Sequence, residues 1–185
     1  FVVARGKFLS KMLSGKKKVP EVGCGDAFGS RIVRQEVGEL HVYDFGPLFV
    51  EDIHERRSEK WPLHAHVHDI LDGPLKEAPF DGIYSLDVME HIPQEKENVY
   101  LTNIKKSLAP HGVAIIGMPS LESQIHASPQ SKIGHINCKS GKDLKAVLEK
   151  HFHTVFLFSM NDEVVHTGFT PMAHYLFAIC CEAKV

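Results

Sequence analysis

Residues 21–29 read Glu21-Val22-Gly23-Cys24-Gly25-Asp26-Ala27-Phe28-Gly29, directly after Lys18-Val19-Pro20. Glycines at 23 and 25 let a backbone turn tightly and approach a ligand with no Cβ in the way. They lie between a short apolar strand, residues 19–23, and a helix-spaced stretch, residues 28–37, so they mark a strand–loop–helix turn of the nucleotide-holding kind. The dinucleotide fingerprint asks for a third glycine at position 28, and that position is Phe28. No GxxxxGK[ST] phosphate loop occurs either. Dinucleotides and nucleoside triphosphates are therefore poor fits.

Outward from this turn the chain alternates. Residues 4–14 have helical spacing, with Phe8, Met12 and Leu13 on one side. A second strand, residues 40–44, ends on Asp44. Pro47 opens a helix through about residue 60. Residues 64–68 read as a third strand followed by Asp69, and residues 80–86 as a fourth. A helix over residues 94–108 leads to a fully apolar fifth strand, residues 113–118. Residues 119–140 carry little local signal. A helix over residues 142–151 and strands near residues 154–159 and 174–181 close the chain. Such alternation predicts an α/β, doubly wound, Rossmann-like three-layer sandwich with a mostly parallel sheet.

With 185 residues, 43% apolar and 24% charged, the chain has the size and composition of one globular domain spanning residues 1–185. Its net charge of −2 gives no reason to expect a nucleic-acid or membrane partner. Lys16-Lys17-Lys18 reads as a solvated turn. No apolar run approaches the roughly 18 residues of a membrane span, and no stretch reads as a secretory signal. Four cysteines without a CxxC pair point to a reducing, cytoplasmic setting.

In doubly wound folds the ligand sits beyond the carboxyl ends of the strands. Four carboxylates fall there, Glu21, Asp44, Asp69 and Asp87, and the first three bear on the choice of ligand. Glu21, two residues before Gly23, would repel a diphosphate and attract a cation. Asp44, nineteen residues after Gly25, is placed to accept hydrogen bonds from a ribose diol, and Asp69 is placed to meet an adenine amino group. A cationic, phosphate-free adenosine compound satisfies all three, and S-adenosyl-L-methionine is that compound.

The motifs then resemble a known family. EVGCGDAFGS resembles motif I of the class I S-adenosylmethionine-dependent methyltransferases, E/D-x-G-x-G-x-G. FDGIYSLDVMEHIP resembles their acidic fourth-strand motif in its ubiquinone-biosynthesis-like form, with Glu-His at its end. LAPHGVAIIGMPS and GHINCKSGKDLKAVLEKHF are similar to their fifth-strand and later segments. The resemblance covers about residues 17–160. It implies a seven-stranded sheet with the last strand antiparallel. It implies that Glu21, Gly23, Cys24 and Gly25 hold the methionine part, Asp44 with Phe45 the ribose, and Asp69 with Ile70 the adenine. Leu86 and Asp87 would line the methyl-donor side. The sequence departs from the family at Ala27, where a third glycine is usual, and at Pro20 in the first strand.

Methyl transfer from a sulfonium mainly needs alignment, with a base only for a protonated nucleophile. His91 is the candidate base, with Asp87 and His135 the other candidate catalytic residues. Asp87, Glu90, His91 and His135 resemble the carboxylate–histidine sets that hold Mg²⁺ in small-RNA 2′-O-methyltransferases, but no metal is expected here. His64, His66 and His68 share one strand face, read as the solvent side of an edge strand. Ser120, His126, His135 and Asn137 are candidate acceptor contacts. The resulting expectation is a methyltransferase acting on oxygen or nitrogen of a small molecule. The alternatives are a metal-assisted RNA methyltransferase, a non-catalytic binding domain and a nicotinamide dehydrogenase.

Overall fold

A computed structural model describes residues 1–185. Eight strands form one sheet: β1 (Lys18–Val22), β2 (Glu39–Asp44), β3 (His64–Val67), β4 (Phe80–Leu86), β5 (Leu108–Pro119), β6 (Phe152–Asn161), β7 (Val164–His166) and β8 (Tyr175–Ala183). Their order across the sheet is β3-β2-β1-β4-β5-β8-β6-β7. Strands β3 to β5 are mutually parallel, whereas β8 runs antiparallel to both neighbours, β5 and β6. Seven of these strands match the expectation. The eighth, β7, pairs only with β6 in a tight hairpin around Asp162 and Glu163, with Asp162 at φ +53°. Its three residues lay beyond the alternation that marked β6.

Helices α1 (Val2–Met12), α2 (Ser30–Arg34), α3 (Pro47–Glu55), α4 (Glu97–Ser107), α5 (Pro129–Gly134) and α6 (Gly141–Leu148) connect or cover the strands. In α1 it is Leu9, and just past the helix Leu13, that are buried, while Met12 faces outward, which corrects the apolar face read from the sequence. α1 lies close on α2, because a Cβ on Gly6 would come 2.9 Å from Ile32 Cδ1. α2 stops well before residue 37. Arg34 Nη1 donates to Val37 O, and a Cβ on Gly38 would sit 2.5 Å from Lys17 O, so the chain must turn there to start β2. α3 ends at Glu55, since Arg56 to Lys60 contain no apolar residue to bury. α5 was not anticipated, although Ser128-Pro129 is a sequence signature for a helix start: Ser128 Oγ accepts from Ser131 N.

Two apolar layers enclose the sheet. One gathers Phe80, Tyr100, Ile104, Met118, Leu144, Leu148 and Phe152; the other gathers Leu9, Leu13, Val33, Leu40, Tyr84 and Phe177. Pro20 sits at the middle of the central strand, where β1 registers against β4 at the single pair Glu21–Tyr84. No helix is long and apolar enough to cross a membrane. The connections leaving β1 and β4 run to opposite sides of the sheet's midline, so the ligand-accepting crevice of this topology opens between them.

Candidate functional site

The crevice begins at the turn after β1. Gly23 N and Cys24 N both donate to Tyr43 O, at 2.8 and 3.1 Å, which ties the turn to β2. Gly23 is at φ +77°, and a Cβ there would lie 2.1 Å from Val88 Cγ2. Only glycine fits. Gly25, at φ +52°, has nothing within 4 Å of its Cβ position and faces open space. Ala27 is also left-handed, at φ +53°, and buried. That backbone conformation is what makes a third glycine usual at this place.

Glu21 points into the turn from the last part of β1. Its Oε2 accepts from the Ser30 hydroxyl and from Tyr84 Oη, the latter at 2.7 Å. Glu21 keeps partial access through the crevice, yet the protein packed around its carboxyl pushes its pKa up to about 7. Desolvation outweighs the two hydroxyl donors. Asp44, at the end of β2, is 6% exposed. Its Oδ2 accepts from Gly25 N at 2.9 Å and its Oδ1 from Gly46 N at 2.8 Å. A carboxylate has about four lone-pair directions, so two remain for a ligand.

Three cavities meet at Asp87. The first, about 350 Å³, lies between α1 and the glycine turn; Glu21, Gly23, Cys24, Gly25, Leu86 and Asp87 border it. The second, about 680 Å³, is bordered by Asp44, Phe45, Asp69, Ile70, Asp87 and His91. The third, about 390 Å³, is bordered by Arg5, Asp87, Glu90, His91, His135 and Tyr175. Every candidate cofactor-binding or catalytic residue named from the sequence therefore lies on this joined space. Asp69 also folds back on its own turn, with Oδ1 accepting from Leu71 N at 2.9 Å. Cys24 lies largely buried, and burial raises its thiol pKa, so it serves as a neutral wall.

Asp87 itself has a left-handed backbone, at φ +55°, with its N–H donating to Gly117 O at 3.0 Å. Arg5 Nη1 donates to its carboxylate. The Arg5 guanidinium also lies 4.8 Å from the Tyr175 ring centre and 4.7 Å from that of Phe1. Its Nε is a buried donor with no partner. Arg5, Ser30, Tyr84 and Tyr175 were not picked from the sequence. Arg5 stands 82 positions from Asp87, and only packing of α1 over the crevice brings the two together.

On the far side of Asp87, His91 Nδ1 bonds Gly134 O at 2.9 Å and His135 Nδ1 bonds Gln124 Oε1 at 2.8 Å. The two rings stand edge to face, 5.1 Å apart. Glu90 is fully buried, and neither of its carboxylate oxygens has a partner. A carboxylate oxygen of Glu90 and one ring nitrogen each of His91 and His135 lie within 4.8 Å of one another.

Other candidates fall elsewhere. Ser120 is buried and its hydroxyl donates to Ala173 O; Asn137 is buried and donates to Glu97 Oε2 at 3.0 Å. Both are spent inside the fold, and only His126 and His135 of that set border the third cavity. The histidines of β3 are not simply a solvent face either. His66 stacks on Tyr43 at 4.6 Å and its Nε2 lies 3.1 Å from His41 Nδ1, because β2 presents an aromatic row to β3 in parallel register.

Among known proteins, the chain is 30% identical over 115 residues to the phosphoethanolamine N-methyltransferase of Plasmodium falciparum, an alignment covering 61% of this chain and 43% of that enzyme. It also shares its fold with the N-methyltransferase NodS of Bradyrhizobium japonicum, solved with S-adenosylhomocysteine (TM-score 0.71, 17% identity, 97% of this chain and 85% of NodS). The methyltransferase domain of bacterial CtHen1 superposes with TM-score 0.79 at 13% identity, over 98% of both chains. The family model for a methyltransferase domain matches residues 19–112, which contain the glycine turn, Asp44, Asp69, Asp87 and His91. S-adenosylmethionine is the methyl donor of that family. From this match across half its length, on the strands that build the crevice, the chain belongs to the methyltransferase domain family.

Proposed function

We propose that the chain is a single catalytic domain that methylates a small molecule on nitrogen or oxygen, with S-adenosyl-L-methionine as donor. The observation that carries this reading is the meeting of three cavities at Asp87, one each for an amino-acid end, an adenosine and an acceptor. The donor set fits the cofactor. Glu21 suits a cationic group, Asp44 has two free lone-pair directions for a ribose diol, and Arg5 Nε is an orphaned buried donor suited to a carboxylate.

When bound, the cofactor supplies an activated methyl group on sulfur. Within the chain, Glu21, Gly23, Cys24 and Gly25 hold its methionine end, with Arg5 the one cation beside them. Asp44 and Phe45 hold the ribose, and Asp69 and Ile70 the adenine. Leu86 and Asp87 line the junction. His91 acts as base toward a protonated acceptor: its Nδ1 donates to a carbonyl, which leaves Nε2 as the proton-accepting nitrogen. His135 stands against His91 on the acceptor side.

A net charge of −2 and the absence of a basic stripe favour a small acceptor over a nucleic acid, and a reducing cytoplasmic setting suits the four free cysteines. The Asp87-to-His91 segment is the part that points to the ubiquinone-biosynthesis-like branch. Calorimetric titration with S-adenosylhomocysteine, with NAD⁺ as control, tests the reading. Saturable binding of the first alone supports it, and binding of neither, or of NAD⁺ in preference, overturns it.

A further inference from the structure

Glu21 and Tyr84 are the single registered pair between β1 and β4. Side chains of such a pair stand on the same face of a sheet, and here they meet, with Tyr84 Oη donating to Glu21 Oε2 at 2.7 Å. Ser30, the first residue of α2, donates its hydroxyl proton to the same oxygen. Both hydroxyl residues are 1% exposed, and neither makes another side-chain hydrogen bond. Each hydroxyl carries one proton, so both protons go to Oε2. Oε1 accepts from no group of the chain and keeps access to the 350 Å³ cavity that Glu21 borders.

Two donors on one oxygen divide the carboxylate into a held half and an offered half. The groups around it decide what the offered half suits. Cys24 and Asp26 face Glu21 from the glycine turn, Arg5 from α1, Tyr84 from β4, Asp87 from beyond the end of β4 and Asp44 from β2; α2 brings the uncharged Ser30. Cys24 and Tyr84 are neutral, because burial pushes both pKa values up. Asp44 is held by two backbone N–H groups, and Arg5 is paired with Asp87. The free oxygen therefore faces a cavity wall with no cation of its own to meet it, and a ligand cation fits there. Burial raises the Glu21 pKa to about 7, and the two hydroxyl donors hold it below the level that burial by itself would set.

We propose that Tyr84 and Ser30 are positioning residues for Glu21, fixing its carboxylate by Oε2 so that Oε1 meets the ammonium of the cofactor's amino-acid end. The assignment rests on the methyltransferase reading above and names the two side chains that shape its Glu21 subsite. An adenosyl ligand with a free amino-acid ammonium is selected there over one without it. Removing either hydroxyl raises the Glu21 pKa further, and a neutral carboxyl no longer attracts the ammonium.

The test is calorimetric titration of the full chain with S-adenosylhomocysteine between pH 5.5 and pH 8, in the parent, Tyr84→Phe and Ser30→Ala. Methylthioadenosine, which lacks the amino-acid end, is the second ligand. Parent affinity for S-adenosylhomocysteine should rise through pH 7. In each variant the rise should move upward by about one pH unit, so that affinity is roughly tenfold lower at pH 6.5 and about twofold lower at pH 8. Methylthioadenosine should bind all three proteins within about twofold, because it has no ammonium for Glu21 to meet. Ser30→Ala carries the same test from α2, independent of any packing defect that Tyr84→Phe leaves in β4. Equal affinities in the three proteins at every pH overturn the proposal. So does a loss of the same size at every pH, or one shared by methylthioadenosine, since either marks a packing role. If S-adenosylhomocysteine binds the parent at no pH, the methyltransferase reading has failed; if it binds and the three profiles coincide, only the positioning role has.

Discussion

Asp44 Oδ2 accepts the backbone N–H of Gly25 at 2.9 Å, so the carboxylate at the tip of β2 holds the glycine turn that leaves β1. The residue assigned to the ribose is therefore also a strut of the loop that meets the methionine end. Asp44→Ala removes a charged acceptor from two backbone donors, Gly25 and Gly46. A hydrogen bond to a charged group contributes about 1.5–3 kcal/mol. Affinity for S-adenosylhomocysteine should fall about 10- to 100-fold by calorimetry, with a lower denaturant midpoint as well. An unchanged dissociation constant removes Asp44 from the site.

Arg5 is the cation that the sequence did not announce. Arg5→Ala strips Asp87 of its partner and leaves the amino-acid end of the crevice without positive charge. Binding of S-adenosylhomocysteine should weaken about tenfold, the scale of one lost charge-assisted bond. Arg5→Lys should recover part of it, because a point charge replaces the planar fork. Equal affinity in all three proteins would show that Arg5 serves packing against Tyr175 alone.

Glu21 makes stability depend on pH. Its folded-state pKa is raised from 4.5 to about 7, so the folded chain holds a proton there more tightly than the unfolded chain does. The stabilisation is complete below pH 4.5 and is lost as pH rises to about 7, by on the order of 3 kcal/mol. Glu21→Gln keeps an acceptor for Ser30 and Tyr84 and has no proton to lose. The difference in unfolding free energy between variant and parent should grow in the variant's favour from pH 5 to pH 8 in urea melts. A constant difference contradicts the shift. Conversely, a cationic ligand favours the ionised carboxylate, so binding of S-adenosylhomocysteine, which carries an ammonium, should tighten through pH 7.

The glycine turn gives opposite results at two neighbouring positions. Gly23→Ala meets Val88 Cγ2 at 2.1 Å on a left-handed backbone, and should cost about 2–4 kcal/mol from strain and overpacking together. Val88→Ala in the same chain relieves the contact but not the backbone, and should restore about half. Ala27→Gly releases a left-handed alanine and should be neutral or stabilising by up to about 1 kcal/mol. Chemical denaturation of the four proteins checks both signs.

Much of this was legible in the chain. Strand and helix periods are local, so β1, β2, β4 and the alternation that makes the sheet parallel could be read from side-chain order. The ends were less legible. α2 stops early because Gly38 must pass Lys17, a contact between two strands that no periodicity records. β7 is too short to show a period, and α5 was signalled only by Ser128-Pro129.

The site divides in the same way. The glycine turn, the carboxylates ending β1, β2 and β4, and His91 could be named from the sequence, because strand ends in a doubly wound sheet converge and these residues sit at strand ends. Their spacing along the chain determined which ligand chemistry they suit. The tertiary structure alone decided that Arg5 meets Asp87, that Ser120 and Asn137 are spent within the fold, and that Glu90 is buried without a partner beside His91 and His135. The physical reason is that charge pairing, desolvation and ring tautomers depend on atoms a few ångströms apart in space, and these pairs are between 1 and 82 residues apart in sequence.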